Sequence, residues 1–367
     1  MGKAASVHHI KRLCCLGLDA KALVPELLHA LHDLVPSHSN VFFWVDESGE
    51  ISDAYGESPE FYELIGTYFA EIHDHPGLLP HIASFRSFVR EAPTVTQLSH
   101  RTGKGLYASI FYDGIMRPAG YHDIAYVRIK EQGRPRGLML LGRERGKSLL
   151  SAREADLLRQ LAPYIAHALN PPRGIDDEET EGCDTGLLVF RPSGKLEYAS
   201  PKGKEFLFFA THPVISPSIL WSGKIAQDAA MLCKRLGANL QGEGAPVLRH
   251  CNPWGSFVFR AHPLKGRTPD EDLVGVTVER RVPRRLFLWS HIGALGLPPR
   301  QAEVCFYLAL NESRAAIARR LGISLDAVRW HVREIYARLD VHNGVELMGR
   351  LAEAARFISK GEGNATG

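Results

Sequence analysis

At 367 residues and 40.7 kDa, with 45% hydrophobic and 23% charged residues, the chain is too long for one small core and ordinary for soluble globular protein, so two or three domains are expected. No apolar run approaches the roughly 20 residues that span a bilayer, and the opening MGKAASVHHIKRLCCLG lacks a signal peptide's unbroken apolar segment, so a cytoplasmic protein with no membrane partner is expected. The formal charge of +3 is modest but uneven: Arg284 to Lys360 holds twelve Arg or Lys against seven Asp or Glu, which favours attraction to phosphate at that end.

From Ala20 to Leu34 apolar residues recur at helical spacing, and VFFWV at 41–45 followed by DESGE reads as a strand entering a turn. Helices are predicted at Tyr62 to Ala70, at Phe85 to Val89 and at Leu106 to Met116, the last stopped by Arg117-Pro118. Two strands, IAYVRIK and GLMLLGR, flank the turn EQGRPR. Ser151 then caps a helix whose Leu157, Leu158, Leu161, Ile165 and Leu169 form an apolar stripe. The acidic, Pro- and Gly-containing run PPRGIDDEETEG has little to bury and reads as a linker over 171–182. Beyond it, GLLVFRPSGKLEYAS reads as two strands joined by a Pro-Ser-Gly turn, IAQDAAMLCKRLGANL as a helix, and GSFVFRAHPL and DLVGVTVERR as further strands, with a break at Pro283.

Leu297 to Leu339 is the most informative stretch, three short helices separated by two tight breaks. Pro298 and Pro299 open the first, and Val304, Phe306, Leu308 and Leu310 carry it to Asn311, which tolerates the left-handed conformation that closes a helix. Ser313 caps the second, which runs through Ile317 and Leu321. Gly322 allows a sharp turn, and Ser324 caps the third. At about 100° per residue, Val328, Val332, Ile335 and Leu339 gather on one side of that helix, and Asp326, Arg329, Trp330, Arg333 and Ala337 gather opposite. A solvated helix also carries arginines, but a Trp between them suits a surface with a partner. Helix, short Gly turn, helix is a helix-turn-helix.

The spacing of Arg300, Glu303, Val304, Ala309, Ser313, Ile317, Ala318, Leu321, Gly322, Ser324, Val328, His331, Ile335, Tyr336, Leu339, Val341, Glu346 and Leu347 resembles the LuxR-type DNA-binding domain. The resemblance implies that the third helix enters the major groove through Arg329, Trp330 and Arg333, that Arg314 and Arg338 approach phosphates, and that Ser324 belongs to the same DNA-facing set. It also implies that a fourth helix from about Val345 to Phe357 dimerises the domain. Pro298, Ala316, Ala327 and Gly344 depart from the usual Thr, Glu, Thr and Arg. They weaken capping and one polar tie without disturbing the core periodicity.

Earlier in the chain, YASIFYDGIMRPAGYHD, GRPRGLMLLGR and SAREADLLRQLAPYIAHAL resemble GAF-like input domains that precede LuxR-type domains. The order of hairpin, helix and antiparallel strands after the linker resembles a PAS domain. These resemblances imply a multidomain α+β chain: a GAF-like sensor over 1–170, the linker, a PAS-like domain over 183–283, and an all-α LuxR-type domain over 284–367. The GAF resemblance implies a sheet with helices around it, able to enclose a small molecule or to dimerise through its terminal helix.

Trp44, Tyr62, Tyr68, Tyr107, Phe111, Tyr112 and Tyr121 are candidates for an aromatic ligand wall, with plain core packing as the alternative. His73, Asp74, His75 and His81 invite a metal, but Pro76 and Pro80 make this a loop and no second cluster has zinc spacing, so solvated histidines are the plainer reading and no metal is expected. The six cysteines show no CxxC. Cys14 and Cys15, near Lys11 and Arg12, are a candidate redox pair against ordinary packing. GxSxG, Walker, HExxH and GxGxxG motifs are all missing, and no enzyme or cofactor is expected. The expected function is transcription regulation by a homodimer that binds double-stranded DNA under control of a small-molecule ligand of unknown identity, with RNA polymerase a further candidate partner. Its rivals are a metal- or redox-responsive regulator and one controlled by a protein partner without a small ligand.

Overall fold

The structure, a computed structural model, describes residues 3–58, 60–73, 85–146, 150–170, 182, 184–215, 230–232, 234–236, 246–268 and 271–361. The linker apart from Gly182, His75 and His81 of the histidine loop, and most of the helix expected at 225–240 lie outside the described residues.

Two helices begin the chain, α1 (Lys3–Cys14) and α2 (Ala20–Leu31), the second capped by the Asp19 carboxylate, which accepts the Lys21 N–H at 2.9 Å. Strands β1 (Asn40–Val45) and β2 (Ile51–Gly56) form a hairpin whose turn is held by Asp46, which accepts the Glu50 N–H at 2.9 Å. Helices α3 (Glu60–Thr67), α4 (Phe85–Arg90) and α5 (Leu98–Thr102) cover one side, and β3 (Val95–Gln97) lies between the last two. Two single π-helical turns, Tyr68–Ile72 and Tyr112–Met116, replace regular helix. The helix expected over Leu106 to Met116 is thus a 3₁₀ turn, Gly103–Ala108, followed by a π turn. Strands β4 (Asp123–Glu131) and β5 (Arg134–Arg143) complete an antiparallel sheet of order β2-β1-β5-β4-β3. Helix α6 (Ala152–Ala168) packs on β4, its start fixed by a capping box between Ser151 and Glu154.

A second five-stranded antiparallel sheet has the order β7-β6-β10-β9-β8, built from β6 (Thr185–Phe190), β7 (Leu196–Ala199), β8 (Val247–Asn252), β9 (Gly255–Leu264) and β10 (Leu273–Arg281). Helix α7 (Pro201–Thr211), with Ser200 as cap and Pro201 in its first turn, lays Phe206 and Leu207 against it. The chain ends in five helices: α8 (Arg284–Ala294), α9 (Pro299–Ala309), α10 (Arg314–Leu321), α11 (Leu325–Leu339) and α12 (Gly344–Gly361).

Strand alternation divides the first sheet's side chains between two cores. Val41, Phe43, Ile124 and Tyr126 join Ile65, Phe88 and Leu98 on the face covered by α3, α4 and α5. Phe42, Ala125 and Val127 join α1, α2 and α6 on the other, and that cluster continues through Phe206 and Trp254 to Trp289, Phe306 and Val328. The second core therefore runs unbroken from the N-terminal helices to the C-terminal ones. No helix among the described residues is long and apolar enough to cross a membrane.

Candidate nucleic-acid interface

Helices α9, α10 and α11 place one polar face in solvent by burying everything opposite it. Pro299 occupies the first turn of α9, and Pro298 before it offers no side-chain cap, so α9 starts without the hydrogen bond a Thr would supply. Ser313 accepts the Ala316 N–H at 3.2 Å and Ser324 the Ala327 N–H at 3.1 Å, each worth about 1 kcal/mol to its helix. Gly322, at φ 62°, supplies the left-handed residue that ends α10, and its N–H bonds the carbonyls of Ala318 and Arg319. The turn is tied from outside as well: Arg300 donates to Glu303 at 2.7 Å and to the Leu321 carbonyl at 2.5 Å.

On α11, Val328, Val332, Ile335 and Leu339 are buried, and Asp340, at φ 53°, closes the helix. Arg329, Trp330, Arg333, Glu334 and Arg338 are exposed, with Trp330 49% accessible. Arg329 donates to Asp326 at 2.9 Å, an exposed i,i+3 pair that holds its guanidinium along the helix start. Arg333 and Arg338, like Arg314 on α10, make no ion pair among the described residues. Arg329 and Arg333 stand one turn apart, about 6 Å along the axis. The Trp330 indole meets the His331 imidazole edge to face at 4.9 Å. Burial first, and the Arg300 charge second, lower the pKa of His331, so at neutral pH it adds an uncharged ring beside Trp330 rather than a cation.

Residues 296–350 match the family model of the bacterial regulatory proteins of the luxR family (GerE). They form a LuxR-type helix-turn-helix domain. Such a domain is a DNA-binding and non-catalytic module. No curated protein matches the chain. Among solved structures, the Vibrio cholerae LuxR-type receptor VqmA, described as a dimer that shifts conformation in the absence of target DNA, is 14% identical over 48% of this chain and 85% of that one, with a TM-score of 0.19. The V. cholerae VqmA–ligand–DNA complex gives 15% identity, 47% and 84% coverage and a TM-score of 0.22. The sensor region of a sensor histidine kinase gives 10% identity, 70% and 90% coverage and a TM-score of 0.19. TM-scores this low describe no shared overall arrangement.

Arg314, Ser324, Arg329, Trp330, Arg333 and Arg338 all lie exposed on α10, on α11 or at the turn between them. Arg319, in the last turn of α10, is also exposed and without an ion pair among the described residues.

The seven aromatic candidates do not come together. Trp44 and Tyr62 pack on the long core: Trp44 meets Trp254 edge to face at 5.9 Å, and Tyr62 meets Phe208 at 5.0 Å. Tyr68, Phe111 and Tyr121 lie on the opposite face of the sheet, Tyr68 and Phe111 being 6.2 Å apart and Tyr121 buried. Tyr112 packs against that cluster and touches Tyr107 at 5.2 Å. Tyr107, 40% exposed, stacks on His122 at 4.8 Å. Alternation along VFFWV sends Phe43 to one face and Trp44 to the other, and one wall cannot contain both sets.

Among the described residues no group of His, Cys, Asp and Glu could hold a metal ion. His73 bonds the Tyr68 hydroxyl at 3.0 Å and lies 3.7 Å from Glu50, contacts that tie it to the Tyr68–Ile72 turn and the β1–β2 turn. Cys14 is buried and its pKa raised, first by burial and then by Cys15, which leaves it a protonated thiol, while Cys15 is exposed. Burial likewise pushes Cys305 up to about 12.

Proposed function

We propose that the protein is a homodimeric transcription regulator that reads double-stranded DNA with α11 and is controlled by a signal received in its N-terminal segments. The carrying observation is Trp330, nearly half exposed between Arg329 and Arg333 on a helix whose opposite face is fully buried. Arg329, Trp330 and Arg333 reach base edges, Arg314 and Arg338 contact phosphates, Ser324 sets the approach of the helix N-terminus, and α12 joins the two copies. The segment 1–170 acts as a GAF-like sensor and 183–283 as a PAS-like module. A small molecule that binds one arrangement more tightly shifts the population toward the one whose recognition helices match operator spacing.

Selection of an operator from random duplexes with the full chain, together with its mass by light scattering, tests this reading. A bound consensus, relaxed at one base position in folded Arg333→Ala, and a dimer mass are expected. A monomer mass with and without DNA would refute the dimer, and folded Arg329→Ala, Arg333→Ala and Arg338→Ala variants that bind like the parent would remove α11 from the interface.

A second reading for two of the aromatics follows from their contacts. The packing of Trp44 on Trp254 and of Tyr62 on Phe208 and Phe209 supports a core role for these two in place of ligand contact.

A further inference from the structure

Helix α1 belongs by sequence to the N-terminal segment, but one of its faces lies on the helix-turn-helix. Its Leu13 and Ile10 are fully buried in the long core, and it packs beside α2 and α6. The neighbouring face carries His8, His9 and Arg12, all turned toward α8 and α9. The His9 imidazole lies flat on the Trp289 indole, 5.4 Å between centroids with 8° between planes, and Trp289 Nε1 donates to the His9 carbonyl at 2.9 Å. Gly293 makes the fit possible: a Cβ there would stand 2.8 Å from His9 Cε1.

Two contact paths continue from α1 to the turn before the recognition helix. In the first, Arg12 donates to the Tyr307 hydroxyl and its guanidinium lies 5.4 Å from the centre of that ring. Arg320 covers the same ring at 5.1 Å and is held by Glu312 at 3.1 Å. In the second, His8 lies 3.8 Å from Glu303, Glu303 holds Arg300, and Arg300 bonds the Leu321 carbonyl. Arg320 and Leu321 immediately precede Gly322, whose backbone sets the angle between α10 and α11. Both paths leave the exposed face of α11 open.

We infer that Arg12 and Tyr307 are positioning residues for DNA recognition: α1 fixes the helix-turn-helix rigidly to the N-terminal body, so that the geometry of that body sets the separation of the two recognition helices. This rests on the dimeric DNA-binding reading above. Cation–ring and charge-assisted contacts of this kind are each modest in strength. Their removal is expected to loosen an orientation without unfolding the domain, whose own core of Val304, Phe306, Ile317, Val328 and Val332 stays intact.

The experiment uses the full chain and its Arg12→Ala, Arg12→Lys and Tyr307→Phe variants. Binding is measured to a single half-site taken from the selected operator, and to paired half-sites whose spacing is changed one base pair at a time. The parent is expected to prefer its best spacing over one displaced by half a helical turn by about tenfold or more. Arg12→Ala and Tyr307→Phe should flatten that preference to about threefold or less, keep single half-site affinity within about twofold, and speed amide exchange at 321–324. Arg12→Lys should fall between them and the parent. Variants that keep the parent's spacing preference would overturn the inference, as would variants that lose single half-site affinity and keep the preference. A parent that binds DNA without any spacing preference would also overturn it. A parent that binds no duplex would remove the function reading itself.

Discussion

Asp53, at the centre of β2, accepts the Ile215 backbone N–H at 2.8 Å, a bond between the first sheet and the segment that leaves α7. The same carboxylate accepts the Ala54 N–H at 2.9 Å and pairs with Lys21 of α2, while Lys21 also donates to the Pro213 carbonyl at 2.6 Å. Asp53 is 4% exposed, so its charge depends on these partners rather than on water.

Replacing Asp53 with Ala would leave the Lys21 ammonium, 16% accessible, without its anion and strand the Ile215 N–H. A loss of about 3 kcal/mol or more in unfolding free energy is expected. Urea unfolding of Asp53→Ala and Lys21→Ala measures it. A change within about 0.5 kcal/mol, the size of an ordinary surface substitution, would mean that this pair does not hold the two sheets.

His9 gives the protein a pH dependence of known sign. Burial first, with His8 acting in the same direction against Asp33, lowers its pKa to about 4. The unfolded chain takes up this proton near pH 6.5 and the folded chain does not, so stability is full above pH 6.5 and falls as the pH drops toward 4. Between pH 7.5 and pH 5 the loss is about 2 kcal/mol. His9→Phe keeps an aromatic ring over Trp289 and lacks the proton. Unfolding free energies at the two pH values should fall by about that amount more in the parent than in the variant, and equal falls would show that His9 does not titrate in this way.

Much of the DNA-binding end was legible because its signals are local. Pro299, Ser313, Gly322 and Ser324 each act within one turn of chain, and the spacing of Val328, Val332, Ile335 and Leu339 fixes which face is buried. The docking of α1 was not legible, since Trp289 and His9 are 280 residues apart and nothing in either neighbourhood names the other. Strand alternation in VFFWV separates Phe43 from Trp44, but the run does not show which distant segments cover each face. Helix α7 has a recognisable start in Ser200-Pro201, but LEYAS before it reads as strand and masks that start. The π turns at Tyr68–Ile72 and Tyr112–Met116 have no sequence signature, and they re-aim Tyr68 and Tyr112 relative to a regular helix.

The split of the aromatics separates two kinds of substitution. A small, partly apolar molecule bound among Tyr68, Phe111 and Tyr121 would raise the melting temperature of the parent. Phe111→Ala should abolish that rise. Trp44→Ala, which strips the contact with Trp254, should lower the melting temperature but keep the ligand-induced rise. The check is a thermal-shift screen with a broad metabolite set. A rise lost in Trp44→Ala and retained in Phe111→Ala would move the site to the other face of the sheet, and no rise with any compound would withdraw the small-ligand reading.

The arginines of α10 and α11 divide by position. Arg333 stands in mid-helix beside Trp330 with no ion pair among the described residues, and it can reach a base edge without first breaking a bond. Arg329 must leave Asp326, an exposed pair worth about 1 kcal/mol at most, before it can do the same. Arg333→Ala is therefore expected to cost about 1 to 3 kcal/mol and to relax the selected sequence at one base position. Arg329→Ala should cost less, and Asp326→Ala should tighten binding slightly by freeing the guanidinium. Arg314 opens α10 and Arg338 stands in the last turn of α11, and both are proposed to meet phosphates rather than bases. Their Ala variants should weaken binding to all sequences alike and reduce the salt slope by about one unit each. Binding isotherms at several salt concentrations, with circular dichroism to confirm folding, separate the two classes. A salt slope unchanged in Arg338→Ala, or sequence relaxation there instead of at Arg333, would reverse the assignment and turn the helix end toward the bases.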